Sequence, residues 1–364
     1  MIASSFGHAM PQEMAHDVVR NRKMRAASES KNSRPTNTSY MKKNYSSDLV
    51  SVIVPTYNRA HLIVSTLDSV FQQTYRPIEL IVVDDGSCDG TVDLVQDWAE
   101  GKSTVDTAFS VRYLRQDNAG PSAARNLGLS ECSGEFIQFL DADDILHNEK
   151  LAMQVYAIRQ NHVDYCVCNY QPFAEIQSTL GPVVDFFSQS HTIVDFPAQY
   201  PMDTPAPLFQ REVVRANGPW DDRLNAGEDF EYNFRMIARG AKGLWLNKVL
   251  LYVRKHDGME RIQATPLATR YRSMYIGLAK MEMEAIDRGI CSKKLLNSFG
   301  MRAYQYYQHT KAEGSHHEAS IFLRYARPRL LWTTKASLFV KRVLPTPVVG
   351  LCVAAKRVLR GRKR

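Results

Sequence analysis

Short apolar runs alternate with helical patterns through the middle of the chain. The first run, LVSVIV, begins at Leu49, and the second, IELIVV, leads directly into Asp84-Asp85-Gly86. Residues 59–73, between the two runs, have the apolar spacing of a helix. Strands of a parallel sheet are buried on both faces, so they appear as continuous apolar runs separated by helices. The pattern predicts an α/β fold with a mostly parallel, Rossmann-like sheet and flanking helices.

The alternation continues to about residue 170. Further strands are predicted at 111–114, 135–140 and 164–170, and further helices at 121–129 and 149–161. Residues 171–220 are poorly patterned and rich in proline, which predicts extended loops and short strands. After them come a predicted helix at 228–240, a strand or pair of strands at 243–256, and helices from about residue 266.

The composition of the two ends differs from that of the middle. Residues 26–48 are rich in Ser, Asn and Lys and nearly free of branched aliphatic side chains, so burial cannot offset the entropy of ordering them. We therefore expect three parts: a disordered segment at 1–48, an α/β domain at 49–257, and a helical region at 258–364 with a basic amphipathic tail.

The net charge of +8 is unevenly distributed. Residues 1–48 carry eight Lys/Arg and four Asp/Glu, residues 49–318 carry 26 and 34, and residues 319–364 carry twelve and none. The acidic middle argues against a nucleic-acid channel, and we expect no nucleic-acid partner. The basic C-terminal end has the charge of a segment that binds an anionic lipid surface.

Two stretches bear on cellular location. Residues 1–15 contain no apolar run as long as that of a signal peptide. Residues 343–355 are weakly polar but carry two prolines, and a spanning helix needs about 20 apolar residues. We therefore expect a cytoplasmic protein without a transmembrane span, which can attach peripherally to the inner face of the membrane.

Candidate chemistry lies where the predicted strands end, because ligands of open α/β sheets bind outside the carboxyl ends of the strands. Asp141 and Asp143 follow the strand at 135–140. Two carboxylates two residues apart can reach one hard divalent cation and leave positions for phosphate oxygens. The same triplet also fits a solvated acidic turn or a helix cap.

A second candidate group combines the ends of the first two strands. Asp84 or Asp85 can accept a hydrogen bond from a base N–H or a ribose hydroxyl, and the Tyr57 ring offers a surface for stacking. The alternative is an ordinary turn in which Gly86 relieves a positive φ.

Six motifs, in order, resemble the family 2 nucleotide-sugar glycosyltransferases of the GT-A fold. They are SVIVPTYNR (51–59), ELIVVDDGSCDGT (79–91), NAGPSAARNLGL (118–129), FIQFLDADD (136–144), AGEDFEYNFR (226–235) and YVRKH (252–256). Together they span a little over half of the chain, and six ordered motifs are far more specific than any one alone.

The resemblance implies a set of site residues. The nucleotide-sugar pocket would comprise Pro55, Tyr57, Asp84, Asp85, Arg125 and Asp141. Asp143, with Asp141, would hold Mn²⁺ or Mg²⁺, and His256 would add a metal or phosphate contact. Asp229 would be the general base, with Glu228 beside it as a second catalytic carboxylate. Both also fit plain capping of a helix N-terminus.

The implied reaction is metal-dependent, inverting transfer from a nucleotide-diphosphosugar, with a UDP-sugar as the expected donor. The QxxRW element of processive synthases is absent from the sequence, so we expect transfer of a single sugar to a lipid-linked or polysaccharide acceptor. A sugar-phosphate nucleotidyltransferase is an alternative, although residues 55–61 lack its glycine-rich phosphate loop. A non-catalytic glycan-binding descendant is another.

The basic tail generates a prediction about membranes. Residues 335–364 hold nine Lys/Arg and no acid, interleaved with apolar residues, and each basic group near an anionic surface contributes about 1 kcal/mol. The whole chain should co-sediment with anionic but not neutral vesicles, and a version ending at Thr334 should not. Equal pelleting of the two proteins would contradict this role and leave a solvated or packed tail.

Overall fold

A computed structural model describes residues 41, 45–103, 106–174, 180–189, 191–199, 202–255 and 266–343. Its eight strands are β1 (Ser46–Thr56), β2 (Ile78–Asp84), β3 (Phe109–Arg115), β4 (Gly134–Phe139), β5 (Ile145–Leu146), β6 (Tyr165–Phe173), β7 (Pro207–Gln210) and β8 (Gly243–Arg254). They form one sheet in the order β3-β2-β1-β4-β7-β6-β8-β5.

Eleven helices occur in the part of the chain that the structure describes. Those that flank the sheet are α1 (Ile63–Phe71), α2 (Thr91–Ser103), α3 (Pro121–Glu131), α4 (Lys150–Asn161), α5 (Phe196–Gln199), α6 (Arg211–Asn217) and α7 (Glu228–Ala238). The C-terminal helices are α8 (Leu267–Asp287), α9 (Lys293–Ala312), α10 (His316–Arg329) and α11 (Trp332–Val343). None of these helices is both long and apolar enough to cross a bilayer.

The N-terminal half of the sheet is parallel, as the alternating pattern predicts. β1 lies between β2 and β4 and runs parallel to both, and β3 is parallel to β2. The side chains of β2 are buried along its whole length. This layer places the carboxyl ends of β1, β2 and β4 along a single edge of the sheet.

The second half of the sheet is mixed. β7, from the proline-rich region, pairs antiparallel with both β4 and β6, while β6 and β8 are parallel. The Gln138 side chain of β4 donates to the carbonyl of Pro205 at 3.0 Å, which ties the sheet to the segment before β7. The predicted loops and short strands at 171–220 therefore include a central strand.

The C-terminal helices share the hydrophobic core of the sheet domain. Side chains of α8, α9 and α10 belong to the same buried cluster as those of β1, β4 and α7. Arg239 at the end of α7 pairs with Glu284 of α8 at 3.0 Å. Within the C-terminal part, Glu282 of α8 pairs with Arg329 of α10 at 3.0 Å. Side chains on the two sides of the expected domain boundary near residue 257 therefore pack against each other.

Several predicted boundaries need correction. β1 begins at Ser46, inside the segment expected to be disordered, because the Ser46 N–H donates to the Ser133 carbonyl at 2.8 Å. The helix expected at 59–73 forms only over α1, since residues 59–62 make a turn. Of the two arrangements expected at 243–256, the structure has the single strand, β8. Residues 1–40 and 42–44 of the segment expected to be disordered, His256, and residues 344–364 of the tail lie outside the described residues.

A buried lysine next to β4 generates a prediction about pH. Lys150 is fully buried, and its Nζ donates to the Gln154 Oε1 at 2.6 Å and to Gln138. Burial lowers the pKa of Lys150 to about 8, so the unfolded chain binds more protons than the folded one above that pH. The free energy of unfolding should rise between about pH 8 and 10.5, by about 3 kcal/mol in total.

The matched variant is Lys150→Met, which removes the titrating amine. Urea unfolding of both proteins across this range should show a steeper rise with pH in the natural chain. Equal slopes would contradict the assignment.

Candidate active site

The carboxyl ends of three neighbouring strands meet at the candidate site. Thr56 of β1 lies beside Asp84 of β2, and Ile53 lies beside Phe139 of β4. The Asp85 N–H donates to the Thr56 carbonyl at 2.8 Å, which continues the pairing beyond the strand ends. The residues expected to bind a nucleotide-sugar at these strand ends therefore lie along one edge of the sheet.

The loop after β1 is fastened to the loop after β2. The Asn58 N–H donates to the Ser87 hydroxyl at 2.8 Å, and the Cys88 N–H donates to the Asn58 side-chain oxygen at 2.9 Å. The Arg59 N–H donates to the Thr91 hydroxyl at 2.9 Å. With its neighbours held in this way, Tyr57 keeps 45% of its surface exposed, which suits a ring that stacks on a ligand.

Asp84 is fully buried at the end of β2. Its carboxylate accepts hydrogen bonds from the Ser87 N–H at 3.1 Å and the Tyr113 hydroxyl at 2.9 Å, and it pairs with Arg115 at 3.3 Å. Burial and the charge of Asp84 raise the pKa of Tyr113 to about 12. The carboxylate of Asp84 thus orders the surrounding loop as well as lying at the expected pocket.

Asp85 organises the loop that leads into α3. Its carboxylate accepts from the N–H groups of Ala119 and Gly120 at 2.8 Å each, and from the Gln116 side chain at 2.7 Å. Gly86, with φ +84°, lets the chain turn here, and a Cβ on it would lie 3.1 Å from the Asn118 nitrogen. Three donors therefore already engage the carboxylate expected to bind the nucleotide.

Arg125 joins two parts of the site. Its guanidinium pairs with Asp141 at 2.9 Å and with Glu228 at 3.4 Å, and only 5% of its side chain is exposed. It also lies 4.7 Å from the centre of the Trp220 ring. Burial would lower the pKa of Arg125, but the charges of Asp141 and Glu228 raise it. The arginine bridges the acidic end of β4 and the N-terminus of α7.

Glu228 and Asp229 form the first turn of α7, after Gly227 at φ +74°. Burial and the charge of Asp229 raise the pKa of Glu228, although Arg125 opposes them. The Asp229 carboxylate accepts the Phe230 N–H at 2.7 Å and is half-buried. The two neighbouring carboxylates therefore differ in surroundings, and Glu228 is linked to Asp141 at the end of β4 through Arg125.

Asp143 is buried near a second arginine, Arg59, whose Nε lies 3.9 Å from its carboxylate. Arg254 at the end of β8 holds the backbone here: its N–H donates to the Asp144 carboxylate at 2.9 Å and its Nε to the Asp143 carbonyl at 3.2 Å. The acidic turn after β4 is therefore fixed between β1 and β8.

Asp141 and Asp143 supply carboxylate oxygens, which are the ligands that a small, hard cation takes, and each of the two lies near an arginine. Mg²⁺ commonly binds through one or two carboxylates and takes its other ligands from substrate phosphates and water. Among the described residues no group of three or more His, Cys, Asp or Glu side chains forms a complete metal site. A cation bound here would therefore depend on a nucleotide diphosphate for its remaining ligands.

Several residues that contact the site were not predicted from the sequence to be part of it. Arg254 lies within the YVRKH motif, but its contacts to the acidic turn depend on the pairing of β8 in the sheet. Trp220 comes from the proline-rich stretch and is held by Asn126, whose side chain donates to its carbonyl at 2.9 Å. Tyr113 and Gln116 reach the two aspartates only because β3 lies beside β2.

The different surroundings of Tyr57 and Asp85 predict different effects of removing each side chain. Tyr57→Ala should weaken binding of uridine diphosphate about tenfold and leave Tm unchanged, because the ring is exposed and stacking on a base contributes about 1–3 kcal/mol. Asp85→Ala should lower both affinity and Tm, because the N–H groups of Ala119 and Gly120 would lose their acceptor, at about 1–3 kcal/mol.

Calorimetric titration and a thermal melt measure the two quantities. If Tyr57→Ala lowered Tm as much as Asp85→Ala and left the affinity unchanged, the assignment of the ring to the nucleotide would be wrong.

Comparisons with known proteins match the chain to glycosyltransferases. The family described as "Glycosyl transferase family 2" matches residues 51–195. The glucosyltransferase WfgD of Escherichia coli, named as acting on α-D-GlcNAc-diphosphoundecaprenol with UDP-Glc, is 38% identical over 124 residues, which cover 34% of this chain and 46% of that protein. An uncharacterised glycosyltransferase of Rickettsia typhi is 26% identical, over 66% of this chain and 74% of its own. Some relatives are much longer: the chain spans only 17–29% of the length of three of them.

Solved structures show the same fold at low sequence identity. S. aureus TarS 1–349 superimposes with a TM-score of 0.57 at 19% identity, covering 73% of each chain. The mannosyltransferase PcManGT of Pyrobaculum calidifontis, solved with GDP-Man and Mn²⁺, gives a TM-score of 0.52 at 18% identity, covering 95% of this chain and 89% of its own. The resemblance carried by the sequence motifs is confirmed: residues 51–195 match the model of glycosyl transferase family 2, and the structure has the GT-A fold of these neighbours.

Proposed function

We propose that this glycosyltransferase moves one sugar, in a metal-dependent and inverting reaction, from a UDP-sugar to a hydroxyl of a lipid-linked or polysaccharide acceptor. The observation that carries the proposal is the double pairing of Arg125. Through it, Asp141 at the end of β4 and Glu228 at the start of α7 lie within reach of one guanidinium. Donor-side and acceptor-side carboxylates are thereby brought together.

The donor would lie along the carboxyl ends of β1, β2 and β4. Tyr57 would stack on the base, and Asp84 and Asp85 would hold the loops that surround it. Pro55 would shape the wall of the pocket, and Asp141 would lie near the ribose. Solved complexes of the structural neighbour TarS contain UDP and UDP-GlcNAc, which supports a uridine donor for this chain.

A divalent cation, Mn²⁺ or Mg²⁺, would be held by Asp143 together with Asp141. When bound, such a cation offsets negative charge on the departing diphosphate. Arg59, close to Asp143, is placed to contribute positive charge to the same region. His256 would add a further contact, as the resemblance implies. The Mn²⁺ in the PcManGT complex supports this part of the proposal.

Asp229 would act as the general base. A sugar hydroxyl is a weak nucleophile, and a placed carboxylate that takes its proton as the new bond forms accelerates the reaction by about 10²–10⁴-fold. The C1–oxygen bond to the diphosphate breaks as the acceptor oxygen attacks from the opposite face, so the anomeric centre inverts. Glu228, held by Arg125, would fix the position of Asp229 next to it.

The proposed acceptor is a lipid-linked molecule at a membrane surface. The E. coli relative carries a lipid-linked diphosphate in its name, which supports an acceptor of that class. A lipid-linked acceptor lies at a membrane surface, and the basic C-terminal end would bring the site to that surface.

Removal of the Asp143 carboxylate tests whether this residue binds the cation. Asp143→Ala should lower transfer by at least about 100-fold and abolish the effect of Mn²⁺ on UDP binding, because the cation and the diphosphate share this ligand. Asp97→Ala, at an exposed position of α2, is the matched control and should change neither. Turnover of Asp143→Ala equal to that of the control would refute the metal assignment.

Removal of the base tests the chemistry separately. Asp229→Asn is nearly isosteric, so it should keep donor affinity within about twofold and lower kcat by about 10²–10⁴-fold. Asp222→Asn, in the exposed loop before α7, should behave as the natural protein. Loss of donor binding together with activity would instead place Asp229 in the nucleotide pocket or in helix capping.

A further inference from the structure

Helix α8 lies against the segment that leads into α7. Three residues of α8 face that segment, and their spacing along the chain places them on one face of the helix: Ser273, Gly277 and Lys280. A Cβ on Gly277 would lie 3.7 Å from the Gly227 carbonyl oxygen, so the two backbones are in close contact. The start of α7 is therefore packed against α8.

Ser273 makes three hydrogen bonds to this segment. Its hydroxyl accepts from the Asn225 N–H at 2.8 Å and from the Ala226 N–H at 3.1 Å, and it donates to the Ala226 carbonyl at 3.0 Å. A hydroxyl has one donor and two acceptor positions, so Ser273 uses all of them on two adjacent residues. The serine is buried, which shields these bonds from water.

Ion pairs hold α8 beside α7 on either side of these hydrogen bonds. Lys280 pairs with Asp221, and Glu284 pairs with Arg239 at the end of α7 at 3.0 Å. Burial would raise the pKa of Asp221, but the hydrogen bond from Arg223 and the charge of Lys280 lower it, so the carboxylate stays ionised. The two helices are thus fastened together, and Ser273 fixes the residues just before α7 begins.

The residues that Ser273 holds are close in sequence to the proposed base. Ala226 is followed by Gly227, Glu228 and Asp229, so a shift of the backbone at Ala226 would carry the Asp229 carboxylate with it. Arg125 holds the same turn from the sheet side, through its pairing with Glu228 at 3.4 Å. A misplacement of about 1 Å can lower a reaction rate by about 10²-fold. The turn is therefore held from two sides, by Arg125 and by Ser273.

We propose that Ser273 is a positioning residue for sugar transfer: by holding the backbone of Asn225 and Ala226, it sets the place of the Asp229 carboxylate at the start of α7. The proposal rests on the proposed function, in which Asp229 takes the proton of the attacking hydroxyl. Ser273 acts through the backbone and contacts no reacting atom. It lies outside residues 51–195, so a residue beyond the region that matches the family model would contribute to the reaction.

The test compares turnover and nucleotide affinity in two serine variants of the whole chain. Turnover is the release of UDP, with Mn²⁺ present and water as the acceptor, from UDP-glucose, UDP-galactose and UDP-N-acetylglucosamine. Ser273→Ala leaves two N–H groups without their acceptor, so it should lower kcat about tenfold or more. UDP affinity, measured by calorimetric titration, should stay within about twofold, because the nucleotide would bind at the strand ends.

Ser298→Ala is the matched control. Ser298 of α9 is also buried, and its hydroxyl accepts from the Ala198 N–H of α5 at 3.0 Å. This variant therefore loses the same kind of hydrogen bond, and it should keep kcat within about twofold of the natural chain. Amide hydrogen exchange gives a second comparison: peptides covering residues 222–231 should exchange about tenfold faster in Ser273→Ala and at the natural rate in Ser298→Ala.

A kcat of Ser273→Ala equal to that of the control would overturn the proposal, whatever the exchange rates show. A loss of UDP affinity as large as the loss of kcat would also overturn it, because general structural damage then explains both. If the natural chain releases UDP from none of the three donors, the proposed function fails, and the exchange rates alone decide whether Ser273 holds the turn. Should Ser273→Ala fail to fold, Ser273→Cys takes its place, since a thiol is a weak acceptor of similar shape.

Discussion

The buried guanidinium of Arg125 is the interaction on which the arrangement of the site depends. A charged group with 5% exposure is tolerated only when it is paired, because removing it from water costs several kcal/mol. Its partners come from two distant parts of the chain, Asp141 after β4 and Glu228 at the start of α7. The fold must bring α3, β4 and α7 together for this charge to be buried, so the geometry of the site and the closure of the domain are linked.

Different interactions hold the two sides of the site, the strand ends and the start of α7, in place. The donor side rests on backbone pairing of parallel strands and on loops cross-linked by hydrogen bonds, such as those to Asp85. The side near α7 rests on the C-terminal helices, where the Ser273 hydroxyl of α8 accepts hydrogen bonds from the N–H groups of Asn225 and Ala226, just before α7. Under the proposed function, the strand ends would bind the nucleotide, and α7 with its supporting helices would face the acceptor.

The sequence alone predicted the parallel half of the sheet because each of its strands is a continuous apolar run, as β2 shows. The family and the positions of Asp84, Asp141 and Glu228 at element ends followed from the ordered motifs. β7 was not located, because a four-residue strand among prolines has too little periodicity to distinguish it from a loop. The place of Trp220 beside Arg125 depends on long-range packing, which no local pattern records.

The most direct test of this account is a double-mutant cycle on the Arg125–Glu228 pair, read as the free energy of unfolding in urea. Arg125→Met leaves the buried Glu228 carboxylate without its cation, so it should destabilise the protein strongly. Adding Glu228→Gln removes the unpaired charge and should recover about 1–3 kcal/mol of that loss. If the two changes instead destabilise the protein by the sum of their separate effects, the pair does not hold β4 and α7 together and the account is wrong.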